Sequence, residues 1–278
     1  MFEGRKLLIA SKHHKEQVIA PLVIQELGVK EVLITDFDTD ILGTFSGEID
    51  RKDDPITTVR KKCLHAMELG NCDLAIANEG SFGPHPSYFF CTANEEFIII
   101  IDAKNKLEII ARILSTETNF DAKEITSEDE LFEFCEKVQF PSHAVILRSA
   151  ENDYSSIFKG IQEVNELKEA YKHLLSTYSS VYVETDMRAH MNPSRMKVIE
   201  EVTKKLIEKI KSTCPTCNHP GFSITKAQPG LPCQQCHFPT KSTLSYTYAC
   251  LACGHHEEQK YPRGIEWEDP MYCDFCNP

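Results

Sequence analysis

Four Cys-x-x-Cys pairs, Cys214/Cys217, Cys233/Cys236, Cys250/Cys253 and Cys273/Cys276, crowd the last quarter of a 278-residue chain. A Cys-x-x-Cys loop lets two thiolates reach one ion while nearby backbone N–H groups bond the sulfurs, and two such loops complete a tetrahedral zinc site. The 15 residues between the first two pairs and the 19 between the last two suit four-cysteine sites. Spacing therefore favours sequential pairing, two zinc ribbons in tandem, with crossed pairing (first to third, second to fourth) as the alternative. Four cysteines close each site, so both Zn2+ ions are expected to be structural, standing in for a core that so short and polar a segment cannot form. The neighbouring His219, His237, His255 and His256 are read as surface residues or as donors to the thiolates.

Paired cysteines in a reducing compartment signal metal rather than disulfide, in agreement with the expectation of a cytoplasmic chain. The other four, Cys63, Cys72, Cys91 and Cys135, follow no pattern and are read as small buried hydrophobes. The N-terminal "MFEGRKLLIASKHHKE" has one short apolar run followed at once by charge, and no small-residue cleavage site. No apolar run approaches the ~18 residues of a membrane span; "FIIIID" is strand-sized. A net charge of −12 repels a phosphate backbone and disfavours nucleic acid as partner. The segment from Lys211 onward, with five basic and six acidic residues, is no basic arm.

The rest of the chain alternates strand and helix signals. "RKLLIA" and "KEVLIT" are apolar runs flanking a helical pattern at Val18, Ile19, Leu22, Val23, Ile24 and Leu27 that Gly28 terminates, a β-α-β unit that calls for a parallel or mixed sheet. "ITTVRKKCLHAMELG" follows as a helix and "CDLAIA" as a strand, after which the glycines and prolines of "ANEGSFGPHP" mark a stop. "EFIIIID" and "KLEIIARIL" form an adjacent strand pair, "SEDELFEFCEKV" a helix capped by Ser127, and "HAVILR" and "VYVETD" further strands around the amphipathic "IQEVNELKEAYKHLL". The longest helix, "NPSRMKVIEEVTKKLIEKIKS", opens on Asn192 as cap and Pro193 at its first position. The expected architecture is an α/β domain with a layered mixed sheet over residues 1–210, followed by a small double zinc ribbon over 211–278.

Four polar clusters fall at strand ends or in loops, where α/β folds place ligands. "SKHHKE" puts Ser11, His13 and Lys15 at the first strand-helix junction, suited to phosphate or carboxylate. The long loop from Asp36 to Pro55 carries Asp40, Thr44, Ser46, Glu48 and Arg51, with glycines on both sides of the two hydroxyls. "ANEGSFGPHP" supplies Glu79, Ser81 and His85; Ser81 is in no G-x-S-x-G elbow, so Glu79, an acid for Mg2+ or for water, is the reacting group expected there. "ETDMRAHMNPSR" adds Glu184, Asp186, Arg188, His190 and Arg195.

"GTFSGE", "NEGSFGPHP", "ETDMRAHMNPSRM" and the closing "CDFCNP" resemble a bacterial family of proteins with no assigned activity, a domain of unknown function with a C-terminal tandem CxxC zinc ribbon. Over residues 5–82, "SKHHK" after the first strand and "VRKKCLHAMELGNCDLAIANEG" later are similar to the layout of house-cleaning nucleoside triphosphate pyrophosphatases, which hydrolyse inosine and xanthosine triphosphates. That likeness implies a triphosphate held by Ser11 and Lys15, and Mg2+ or water held by Glu79. The chain departs from the pattern in lacking the motif's asparagine, in a spacing one residue short, and in a single rather than doubled acid.

Together these readings point to a hydrolase of a phosphate-containing small molecule or nucleotide, dependent on Mg2+ or Mn2+. Glu79, Asp40, Glu48 and Asp186 are its candidate catalytic acids. Ser11, His13, Lys15, Arg51, Ser81, His85, Arg188, His190 and Arg195 are its candidate substrate contacts. The competing expectation is a non-enzymatic module that senses a ligand and uses its ribbons to bind protein or nucleic acid, with Phe222, Phe238, Tyr246 and Tyr248 exposed for stacking.

Overall fold

A computed structural model describes residues 1–35, 53–88 and 90–278 of the chain. It divides into two compact units, Met1–Leu206 and Ile207–Pro278, with the boundary inside the longest helix.

Among the described residues, the first unit holds two sheets. Strands β1 (Lys6–Ala10), β2 (Glu31–Thr35) and β3 (Leu74–Pro84) run parallel, and β4 (Thr92–Asp102) and β5 (Leu107–Ser115) extend the sheet antiparallel in the order β2-β1-β3-β4-β5. This is the mixed sheet that the β-α-β opening implies. Helix α1 (Glu16–Leu27) links β1 to β2 and ends on Gly28, whose φ of 66° is the left-handed value that glycine tolerates. Helix α2 (Pro55–Gly70) starts from Asp54, whose side chain accepts from the backbone N–H groups of Ile56 and Thr57. Val59, Cys63 and Ala66 of α2 pack on the sheet face formed by Ala75, Ala77, Phe97, Ile99 and Ile101.

The second sheet is antiparallel, in the order β6-β9-β7-β8, from β6 (Ala122–Ile125), β7 (Val145–Ala150), β8 (Asp153–Ile161) and β9 (Val181–Thr185). Helices α3 (Glu128–Lys137) and α4 (Val164–Leu175) cover the face that carries Val145, Leu147, Val181 and Val183. Ser127 caps α3 by accepting from Glu130 N–H at 3.2 Å, and Asn192 caps α5 (Pro193–Lys211) by accepting from Arg195 N–H at 2.9 Å.

One sequence reading is corrected. "ANEGSFGPHP" does not stop a strand: β3 continues through Asn78, Glu79, Gly80, Ser81, Phe82 and Gly83 to Pro84, paired with β4 at every step from Leu74–Asp102 to Pro84–Thr92. β1 accompanies β3 only as far as Ala77, so among the described residues the glycine-rich half pairs with β4 alone.

The second unit contains β10 (Ser223–Pro229), β11 (Thr243–Ala249) and β12 (His256–Lys260), an antiparallel meander flanked by the Cys-x-x-Cys turns. Among the described residues no helix is long and apolar enough to cross a membrane.

Candidate functional site

The extension of β3 beyond β1 creates the polar centre of the first unit. Side chains alternate across a strand, so Asn78, Gly80 and Phe82 face one way and Glu79 and Ser81 the other. At the edge that β1 vacates, buried Lys15, from the turn before α1, donates to the carbonyl of Asn78 at 3.3 Å. On the helix α2 side, buried Lys62 pairs with buried Glu79. On the opposite side Glu96 of β4 accepts from Asn78 Nδ2 at 3.1 Å and from Arg195 Nε at 2.8 Å, and the Arg195 guanidinium lies 5.2 Å from the centre of the Phe82 ring. Gly80, directly across the ladder from Glu96, makes room for that pair; a Cβ there would lie 2.4 Å from Glu96 Oε1.

Lys15 stands between the two pairs. Burial is the largest influence on its ammonium, and with Arg195 and Lys62 nearby its pKa is pushed down to about 7, against the pull of Glu79 and Glu96. A lysine poised there changes charge near neutral pH.

Three imidazoles adjoin this centre. His13 and His14, both with positive φ (69° and 60°), pack against His190, His13 stacked at 5.1 Å and His14 edge-on at 5.5 Å. Burial, then Lys15, His190 and Arg188, push His13 down to about 3, and burial and Arg188 hold His190 below its ordinary range despite Asp186. Both rings are neutral at physiological pH. Asp186, fully buried at the end of β9, takes Arg188 in a fork, with Nε at 3.0 and 3.1 Å from its two oxygens.

Of the expected site residues, Lys15, Glu79, Arg195, His13, His190, Asp186 and Arg188 thus gather around the vacated edge of β3. Glu79 and Arg195 lie on opposite faces of that strand, with Lys15 in electrostatic reach of both. Ser11 is occupied within its own turn, donating to Glu16 Oε2 at 2.7 Å. Ser81 lines a separate cavity of about 310 Å3 with Glu95, Arg112 and Leu114. His85 lies past the end of β3, roughly 20 Å along the chain from Glu79 at strand rise, and its Nδ1 accepts from Ser87 and Tyr88 N–H at 3.1 Å each. Asp40, Glu48, Arg51, Thr44 and Ser46 lie outside the described residues.

Sequence reasoning missed Lys62, Asn78, Asn94 and Glu96. Lys62 falls in the stripe Val59, Cys63, Ala66 that α2 buries, and Glu96 is in phase with Ile98 and Ile100 on β4. A charge on an otherwise apolar stripe was the available signal. Asn94, in the same phase as Glu96, is buried, and neither of its amide atoms has a hydrogen-bond partner among the described residues.

The cysteines form two groups, but not in the expected pairing: Cys214, Cys217, Cys250 and Cys253 make one cluster, and Cys233, Cys236, Cys273 and Cys276 the other. Sulfur separations of 3.7 Å (Cys214–Cys253), 3.6 Å (Cys217–Cys250), 3.9 Å (Cys233–Cys276) and 3.6 Å (Cys236–Cys273) match the ~3.8 Å edge of a tetrahedron with Zn–S near 2.3 Å. The clusters can therefore each hold one metal ion, and the donor set fits zinc. Crossing follows from the β-ladder. Ser223 pairs with Ala249, which sets the turn before β10 beside the turn after β11, while Cys233 bridges to Glu268 and so draws the second turn to the fourth. Among the described residues, no other group of three or more His, Cys, Asp or Glu is arranged to hold an ion. Phe222, expected to be exposed, is buried on the first cluster against Tyr248 and His255.

No curated protein matches the chain. A crystal structure of a competence-damaged protein (CinA) superfamily protein from Enterobacter cloacae is similar over 40% of this chain and 68% of that one, at 16% identity and a TM-score of 0.23. A family profile spans residues 62–278, from the lysine that meets Glu79 through both cysteine clusters. By that match the chain belongs to the family described as domain of unknown function DUF6671.

Proposed function

We propose that the first unit binds a small phosphate-bearing molecule, a nucleotide, and hydrolyses it with Mg2+ or Mn2+, while the second unit carries two structural zinc ions. The observation that carries this reading is the setting of Lys15: a buried lysine in the turn between a parallel strand and α1, flanked by Lys62 and Arg195, with Arg188 and neutral His13 and His190 adjoining. Such a collection of donors at strand ends suits a polyanion. The likeness of residues 5–82 to the nucleoside triphosphate pyrophosphatases points the same way. In this reading Lys15 and Arg188 neutralise phosphate charge, Arg195 is fixed by Glu96, and Glu79 and Asp186 orient water or share the cation with Asp40 or Glu48.

The test is direct. Zinc-loaded full-length protein, given Mg2+ or Mn2+ and a panel of nucleoside mono-, di- and triphosphates, should release phosphate or pyrophosphate from at least one of them. The variant Lys15→Met should lose that turnover while keeping its zinc. A folded, zinc-loaded chain that turns over no member of the panel overturns the reading.

A further inference from the structure

The two cysteine clusters treat their aromatic residues in opposite ways. The first buries Phe222. Around the second, Phe238 and Phe275 stack on each other at 5.0 Å while remaining 55% and 69% exposed. Beside them Trp267, 47% exposed, packs edge-on against His237 at 5.2 Å, and Met271 and Tyr272, both exposed, lead into Cys273. Aromatic rings held outward on turns fixed by four cysteines cost hydrophobic exposure with no gain to the fold, the pattern expected of an interaction surface.

Charge decides what fits there. Lys241 is paired with Asp274 and Arg263 with Glu268, which leaves Glu266 and Asp269 as the surplus acids of the patch. Four thiolates around a divalent ion would leave the centre beneath net negative as well. Nucleic acid, which exposed rings could otherwise stack on, is repelled by that surplus and by the chain's −12. A second copy brings the same acidic face. We propose that the Phe238–Phe275–Trp267 surface docks a protein segment combining lysine or arginine with apolar side chains, the cations lying over the rings and near Glu266 and Asp269. This docking site is independent of the hydrolase reading.

Trp267 is the chain's one tryptophan, so its emission reports the patch directly. The full-length, zinc-loaded protein is titrated with a peptide alternating lysine and leucine, with its glutamate-leucine counterpart, and with a single-stranded thymidine oligonucleotide. The lysine peptide should blue-shift Trp267 emission and bind at least about 10-fold more tightly than the other two, with affinity falling as salt rises. The double variant Phe238→Ser/Phe275→Ser, confined to exposed side chains, should keep its metal content and lose about 10-fold in affinity. Equal binding of the two peptides, undiminished binding by the double variant, absence of any shift, preference for the oligonucleotide, or self-association that buries Trp267 would each overturn the proposal.

Discussion

Arg195 Nε donates to Glu96 Oε1 at 2.8 Å with both side chains wholly buried, and Gly80 is the residue opposite Glu96 on the neighbouring strand. The pair joins the start of α5 to the middle of the first sheet. Removing one member of a buried ion pair strands the other charge, at a cost of about 3–5 kcal/mol, whereas replacing both by apolar residues is often neutral. Arg195→Met should therefore lower unfolding free energy by about that amount in urea denaturation, and Arg195→Met/Glu96→Leu should recover most of it. Gly80→Ala tests the same contact from the third side. Its Cβ would meet Glu96 Oε1 at 2.4 Å and Arg195 Nη2 at 2.6 Å, so it should destabilise although alanine normally suits a strand better than glycine.

Which parts of this arrangement the sequence discloses follows from the range of the forces involved. Local signals were readable: the caps Ser127 and Asn192, the Gly28 terminus and the β-α-β opening depend on residues a few positions apart. The continuation of β3 through Gly80 and Gly83 was not, because its strand character comes from β4 rather than from its own residues. β8 escaped for a related reason, since it pairs with β7 through two irregularities and buries little on its own. In the site, Asp186 and Arg188 stand out in one short stretch and pair with each other, and Glu79 and Arg195 stand out as well, but Lys62 and Glu96, which pair with those two from other elements, do not. The cysteine pairing turned on the same distinction: gap lengths are local, and the Ser223–Ala249 ladder that crosses the clusters is not.

Crossed and sequential pairing make opposite predictions for metal content. Serine at Cys214, Cys217, Cys250 and Cys253 removes one whole cluster and leaves the other's four ligands intact, so about one zinc per chain should remain. Serine at Cys214, Cys217, Cys233 and Cys236 takes two ligands from each cluster and should leave none tightly bound. Elemental analysis after desalting distinguishes the two variants; a chain of the second kind that still held one zinc would restore sequential pairing.

The titration of Lys15 has two consequences of known sign. Its folded-state pKa of about 7 lies below the ordinary lysine value of ~10.4, so between those limits the unfolded chain binds the extra proton. Lys15 should thus make stability rise with pH from about 7 to about 10 and contribute no slope below 7, and Lys15→Met should flatten that segment of the pH–stability curve. Anion binding should run the other way. Sulfate, whose charge is constant through the neutral range, should bind best below about 7 and weaken by up to ~10-fold per pH unit above it. Calorimetric titration with sulfate checks this, and a flat profile would detach Lys15 from anion binding.

Glu79 presents the harder test, because its pairing with Lys62 gives it a structural task as well as any chemical one. Glu79→Gln leaves the Lys62 ammonium buried without its counter-charge, so loss of nucleotide turnover in that variant alone would not separate chemistry from folding. The double variant Lys62→Met/Glu79→Leu does separate them. Replacing the whole pair by apolar residues should restore most of the stability lost by either single change, as read by urea denaturation. If Glu79 orients water or holds the cation, the restored protein should still turn over nucleotide at least ~100-fold more slowly than the parent chain. A stable double variant with parental turnover would confine Glu79 to its ion pair and leave Asp186 as the acid to examine.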